Sequence, residues 1–485
     1  MNPTLAELLS GLPEDERDAG PARAELAALF SELAGRPVPT GRLARMWSLG
    51  SLSAGLAAGY LAWWVRGGLQ GTEARERALS ETHLRAALKL LGRMGYLRGA
   101  VMKAGQMLAA WPEVVPTEFA DLLGRLHFEA PPMHYALLRE HVRGELGADP
   151  SELFDAFEPQ AVAAASLGQV HRARLKGSGR PVAVKIQYPG IARTIRSDFA
   201  NLAALSQGVR FTRDYDNVRA QLEDIAAMLE RETDYEREAA NLELAREAFG
   251  PEEGIEVPRV QRELSSRQVL TMDWVEGLPL APFLATSPSQ AQRDRAGELV
   301  LRACFRLYYR ARMVYADPGP ANFLFRADGT LGLVDFGCCH RFSDEEFEYA
   351  ELAERAISGE GADLQQAIER AVDLPAGRRL DDEHRALMEQ YCRWTGEPLL
   401  HEGAFDFTDG THFRRGVELY RAMVRRRMVR SNPLNTWLMR LVFGARAILT
   451  HLGARVEYGR IRREETLFGD EPGSGGGSAP GHQQA

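Results

Sequence analysis

Hydrophobic and polar positions change period several times along the chain. Between residues 163 and 187 two apolar, β-branched runs flank the glycine-rich stretch Lys176-Gly-Ser-Gly-Arg180, a pattern that predicts a β-hairpin. Gly332-Leu-Val-Asp335 reads as a further short strand, and Leu270-Thr-Met272-Asp273-Trp274-Val275 reads as a hinge that follows a strand. Glu232 to Asn241 reads instead as helix, with Asp234 and Glu238 one turn apart on one face. Ser343-Asp-Glu-Glu-Phe-Glu-Tyr opens another helix with a capping serine, and Leu434 to Leu452 forms a largely apolar one after Asn432-Pro433. Met46 to Val65 is uncharged and of membrane-spanning length, with a Gly55-x-x-x-Gly59 pair and Trp63-Trp64, but its Ser, Gly and Ala content favours a packed or membrane-surface helix over a span. The Gly/Ser/Pro-rich stretch from Gly469 predicts a disordered tail, and no internal repeat is visible.

Composition narrows the class. A chain of 485 residues that is 45% hydrophobic can build more than one compact region. Its formal charge of −8 argues against nucleic acid as a partner. Four cysteines without metal-ligand spacing fit a reducing compartment, and the adjacent Cys338 and Cys339 read as buried packing. The opening Met-Asn-Pro-Thr-Leu-Ala-Glu has neither signal-peptide nor transit-peptide character, which predicts the cytoplasmic side.

The candidate chemistry starts from lysine. Only Lys89, Lys103, Lys176 and Lys185 occur among 59 basic residues, so Lys103 and Lys185, inside motif-like stretches, mark places where a point charge is wanted rather than a planar fork. Val182-Ala-Val-Lys185 has the form of the protein-kinase lysine strand. Alone it could be a strand ending in a snorkelling lysine. Asp317-Pro-Gly-Pro-Ala-Asn322 then repeats the aspartate-to-asparagine spacing of a kinase catalytic loop, and Asp335-Phe-Gly337 follows a short strand. An isolated turn aspartate or asparagine satisfies its own backbone. The ordered set favours function: Asn322 and Asp335 offer the hard oxygen ligands magnesium takes, and the backbone of Asp273 and Val275 is placed to hold an adenine.

Three further motifs make the chain resemble the UbiB/ADCK (AarF-domain) family of atypical protein-kinase-like proteins over roughly residues 40 to 460. Lys103-Ala-Gly105-Gln106 resembles the family's Lys-x-Gly-Gln motif, Ala163-Ala164-Ala165-Ser166 its alanine-rich replacement for the glycine-rich phosphate loop, and Glu232-Thr-Asp234 its Glu-x-Asp segment. The resemblance implies an α+β, bilobal kinase-like fold with an N-terminal helical extension and a largely helical C-lobe. It implies that Glu238 pairs with Lys185, that Asp317 orients the acceptor hydroxyl or water, and that the Lys103 region packs over the cleft near Glu232 and Asp234. The implied ligands are ATP or ADP with magnesium and a membrane lipid or quinone precursor, within a biosynthetic protein complex and as a homodimer. The implied role is slow ATPase activity supporting isoprenoid quinone or related lipid metabolism at the inner face of a membrane; a nucleotide-sensing pseudokinase and a small-molecule or lipid kinase stay open beside it.

Two departures bear on turnover. The family's Asp-Pro-His-Pro-Gly-Asn loop has Gly319 and Ala321 here, and nothing like an Ala-Pro-Glu activation segment follows Asp335. The domains expected are an acidic leader (1–40), the helical extension (41–150), an N-lobe (151–275), a C-lobe (276–465) and the tail (466–485). Arg421 to Arg430 adds an arginine-dense stripe that could meet anionic lipid or simply face solvent.

Overall fold

The computed structural model describes residues 135–165, 167–192, 230–250, 254–358, 381–426 and 433–467, with 195 and 227 beside them. In chain order α1 (Tyr135–Leu146) leads through a short helix, Pro150–Leu153, into β1 (Phe154–Phe157), β2 (Ala163–Ala165), β3 (Gly168–Leu175) and β4 (Pro181–Gln187). Then come α2 (Tyr235–Ala248), β5 (Ile255–Glu256) and β6 (Val269–Asp273). β1, β3, β4 and β6 form an antiparallel sheet in that order, with β2 paired to β3.

The predicted hairpin is β3–β4, turned by Gly177 and Gly179 at positive φ. Alternation along β4 decides which side chains go where. Val182, Val184 and Ile186 enter a core with Leu138, Val142, Phe154 and Val269, which sends Lys185 to the opposite face. Gly168 is required where β3 begins, because a Cβ there would sit 2.1 Å from the Ile186 carbonyl oxygen. α1 precedes the expected N-lobe boundary at 151 yet shares this core through Leu138 and Val142. The apolar face of α1 has its partner in the sheet, so the helix joins the lobe.

The second half is mainly helical. α3 (Gln290–Tyr309) is followed by β7 (Met313–Tyr315), β8 (Phe323–Phe325), β9 (Leu331–Leu333), β10 (Cys339–Arg341), α4 (Asp344–Ser358), α5 (Asp382–Leu400), β11 (Phe405–Asp406), α6 (Thr411–Arg425), α7 (Pro433–Leu452), β12 (Arg455–Val456) and α8 (Tyr458–Leu467). Ser289 and Gln292 cap α3 reciprocally. Ser343 and Glu346 do the same for α4, as the sequence predicts. β8 and β9 pair antiparallel while β5 lies parallel to β9; β7 and β10 form a ribbon in which Tyr315 faces Cys339. Cys338 and Cys339 are buried and form no disulfide.

α3 is tied to α8 by charge. Glu465, 1% exposed as a side chain, takes Arg306 through two hydrogen bonds of 2.9 Å and also Arg302 at 3.2 Å and Arg310 at 3.1 Å. This anchors the helix that delivers β7 and the loop after it. Among the described residues no helix is long and apolar enough to cross a membrane; the stretch 46–65 lies outside them.

Candidate active site

The site assembles where the cleft face of β4 meets α2 and the end of β9. Lys185 is 7% exposed, and its Nζ donates to Glu238 at 2.7 and 2.9 Å and to Asp335 at 3.2 Å. The ring of Tyr235 lies 5.1 Å from the same ammonium, a cation–π contact beneath the pair. Burial alone would lower the Lys185 ammonium, but Asp335 and Glu238 hold it well above the usual lysine value. Burial pushes Glu238 up to about 7 against the pull of Lys185.

Asp335 is organised on both oxygens. Oδ2 meets Lys185, and Oδ1 accepts the Gly337 N–H at 3.0 Å. Phe336 is fully buried, edge-on to Tyr315. Asn322 ends the adjacent strand, and its carbonyl accepts the Val334 N–H at 3.2 Å, so Asn322 and Asp335 emerge side by side from the β8–β9 pair. The Asn322 amide nitrogen is spent on the Asp317 carbonyl at 2.9 Å. That leaves its Oδ1 as an acceptor. A carboxylate and an amide oxygen from neighbouring strand ends are a donor set that suits magnesium.

The Asp317 loop is held from an unexpected direction. Arg440 of α7 donates from Nε to the Ala316 carbonyl at 2.8 Å and brings Nη2 to 3.5 Å from Asp317. One turn on, Gly444 lets the helix press against Pro318; a Cβ there would lie 2.3 Å from the proline ring. Burial opposes the Arg440 charge, but Cys338, Asp317 and Glu232 together raise its proton affinity. Glu232 thus belongs to this charge cluster and is itself buried.

Other expectations meet the structure less directly. Ala163, Ala164 and Ala165 form an edge strand rather than an open loop, with Ala163 opposite Val170 and Ala165 opposite Gly168; Ser166 lies outside the described residues. Asp234 does not share a helical face with Glu238. It is the N-cap of α2, accepting the Glu236 N–H at 3.2 Å and pairing with Arg267 at 3.4 Å. The hinge follows β6 as expected: the Trp274 N–H donates to the Pro181 carbonyl at 3.1 Å, and no hydrogen bond among the described residues occupies the N–H or carbonyl of Val275. The Asp273 N–H, by contrast, is taken by the Arg259 carbonyl at 2.9 Å. Lys103, Gly105 and Gln106 lie outside the described residues. Sequence reasoning missed Arg440, Asn241 and Tyr235. An arginine within a largely apolar helix was the available signal for the first.

A lysine–glutamate pair across a five-stranded sheet and helix, a hinge, an Asp-to-Asn loop and an Asp-Phe-Gly turn define a protein-kinase-like scaffold of the atypical kind. The profile of the ABC1 atypical kinase-like domain matches residues 125–368. The rat protein named atypical kinase COQ8B, mitochondrial, is 31% identical over 461 residues, covering 92% of this chain and 85% of the relative. The budding-yeast atypical kinase COQ8, mitochondrial, is 30% identical over 319 residues, covering 64% and 61%. Among solved structures, Rv3197 of Mycobacterium tuberculosis in complex with erythromycin aligns with a TM-score of 0.53 and 28% identity, covering 80% of this chain and 98% of that one. The chain belongs to the ABC1 (UbiB/ADCK) family of atypical kinase-like proteins.

Proposed function

We propose that this protein is a magnesium-dependent, nucleotide-binding ATPase of the atypical kinase type that supports isoprenoid quinone or related lipid metabolism at a membrane surface. The observation that carries the reading is Lys185 clamped between Glu238 and Asp335 at 2.7 to 3.2 Å in a buried cleft. Lys185 would hold the α and β phosphates of ATP or ADP, and Val275 with the backbone at Asp273 would hold the base. The edge strand Ala163–Ala165, with Ser166, would line the phosphates more stiffly than a glycine loop. Asn322 and Asp335 would hold magnesium, which supplies charge neutralisation at the phosphate oxygens. Asp317, steadied by Arg440, would orient the acceptor hydroxyl or water.

The Lys103, Gly105 and Gln106 motif, with Glu232 and Asp234, would cover the cleft and keep out protein substrates. The lipid side of the reading rests on family membership; the mycobacterial relative, solved with erythromycin, holds a large amphipathic molecule. The proposed setting is the inner face of a membrane, beside a biosynthetic complex. One observation favours a second reading, a nucleotide-gated scaffold: the Asp317 carboxylate already has Arg440 at 3.5 Å, and a base so engaged turns over slowly.

The test is magnesium-dependent phosphate release from ATP by the full chain, with and without anionic liposomes, beside Asp335→Asn. Release that is lost in the variant and stimulated by liposomes supports the ATPase at a membrane. Nucleotide-induced thermal stabilisation without release selects the scaffold, and label transferred from γ-phosphate into lipid extract selects a lipid kinase.

A further inference from the structure

α2 grips the residue after Asp335 by its backbone carbonyl. The Phe336 carbonyl accepts Asn241 Nδ2 at 3.1 Å. Asn241 sits one turn beyond Glu238 on the same helix and is 6% exposed. On its other side Arg341 of β10 donates from Nε to Asn241 Oδ1 at 2.9 Å. A guanidinium can only donate and a peptide carbonyl can only accept, so this sandwich fixes which end of the amide faces which neighbour.

The Phe336 carbonyl and the Gly337 N–H are opposite edges of one planar peptide unit. Pinning the oxygen therefore aims the hydrogen. That N–H is the donor to Asp335 Oδ1 at 3.0 Å. Gly337 is also closely packed, since a Cβ there would lie 3.3 Å from both Asp335 Oδ1 and Glu238 Oε2 and those carboxylates would have to give way slightly. We infer that Asn241 is a positioning residue for the metal: through the Phe336–Gly337 peptide it sets the Asp335 carboxylate before magnesium arrives.

This inference rests on the reading of Asp335 as a magnesium ligand. Without Asn241 the peptide can rotate, the donor to Oδ1 is lost, and the metal must order the carboxylate itself. Contacts that do not involve the metal, at Lys185 and the hinge, are untouched. The loss of one such hydrogen bond corresponds to an increase of about three- to tenfold in the magnesium needed for half-saturation.

Two variants separate the roles. Asn241→Asp keeps the acceptor toward Arg341 but removes the donor to Phe336; Asn241→Leu removes both. Leu242→Ala, a fully buried packing position on the same helix, serves as a control for stability alone. In the full chain, manganese binding is read by electron paramagnetic resonance in the presence of ADP, magnesium requirement by thermal shift, and metal-free affinity by fluorescent ADP in EDTA. Both Asn241 variants are expected to raise the metal half-saturation about three- to tenfold, with metal-free ADP affinity within about twofold of wild type, while Leu242→Ala lowers the melting temperature and leaves the metal requirement in place. An unchanged metal requirement in both Asn241 variants overturns the inference, as does an equal loss of metal-free ADP affinity. Wild type that binds ADP but shows no metal response overturns the ligand reading of Asp335 and this inference with it.

Discussion

Replacing Glu465 by alanine removes the acceptor that three arginines share. Their losses are unequal. Arg302 keeps Glu298 at 2.9 Å and Glu464 at 2.5 Å, and Arg310 is one-quarter exposed and can turn to water. Arg306 is only 5% exposed as a side chain and loses both of its 2.9 Å hydrogen bonds. Removing the carboxylate partner of one buried guanidinium costs about 3–5 kcal/mol, a large share of the roughly 5–15 kcal/mol that holds a domain together. For a lobe of this size that is a fall in melting temperature on the order of 10 °C. The assay is urea unfolding followed by circular dichroism, with the melting temperature beside it. Glu465→Ala together with Arg306→Met should recover most of the loss, because the uncompensated charge goes with its partner. A shift below about 1 kcal/mol for Glu465→Ala, or a double variant no better than the single one, would refute the claim that this network binds α3 to α8.

Three further outcomes follow from the site and the C-lobe. Lys185→Arg should abolish nucleotide-induced thermal stabilisation as fully as Lys185→Ala, since the space between Glu238 and Asp335 fits an ammonium and not a planar fork; stabilisation retained by the arginine variant would count against it. Arg440→Lys should cut phosphate release about tenfold while leaving ADP affinity intact, because a lysine cannot reach the Ala316 carbonyl and Asp317 together; steady-state release beside ADP titration checks this. His412 accepts from Arg446 at 3.0 Å and donates toward Glu397 at 3.2 Å, and burial followed by the Arg446 charge pushes its pKa down to about 3 from 6.5. Between those values the unfolded chain binds a proton the folded chain refuses, so this contribution is complete above pH 6.5 and is lost as pH falls toward 3. Urea midpoints between pH 4 and 7 should slope more shallowly in His412→Gln.

The parts of the site legible in the sequence are those set by local spacing. Val182 to Lys185 alternates across a strand, Asp317 to Asn322 is one loop, and Asp335-Phe-Gly337 is one turn; each carries its geometry within a few residues. Glu238 was found through family resemblance, and the helix it stands on was legible although its first residue was not. Asp234 reads as helix by position, but a short acidic side chain able to bond the N–H two residues on is better satisfied as a cap. The resemblance makes Ala163 to Ala165 part of a phosphate loop, whereas backbone pairing to β3 makes these residues a strand. Arg440 and Asn241 act on partners 124 and 95 residues away. No local pattern encodes such pairs.

That distance sets an order of events during synthesis. Asp317 leaves the ribosome long before Arg440 exists, and at about 5–20 residues per second the interval is on the order of ten seconds. During it the nucleotide cleft can close around Lys185 and Glu238 while Ala316 still lacks the guanidinium it bonds in the finished chain. A nascent chain, or one ended by a premature stop before α7, therefore lacks both the Arg440 bond to Ala316 and the Glu465 acceptor that ties α3 to α8. On the proposed reading, the Asp317 loop is set for its role only when translation is nearly over.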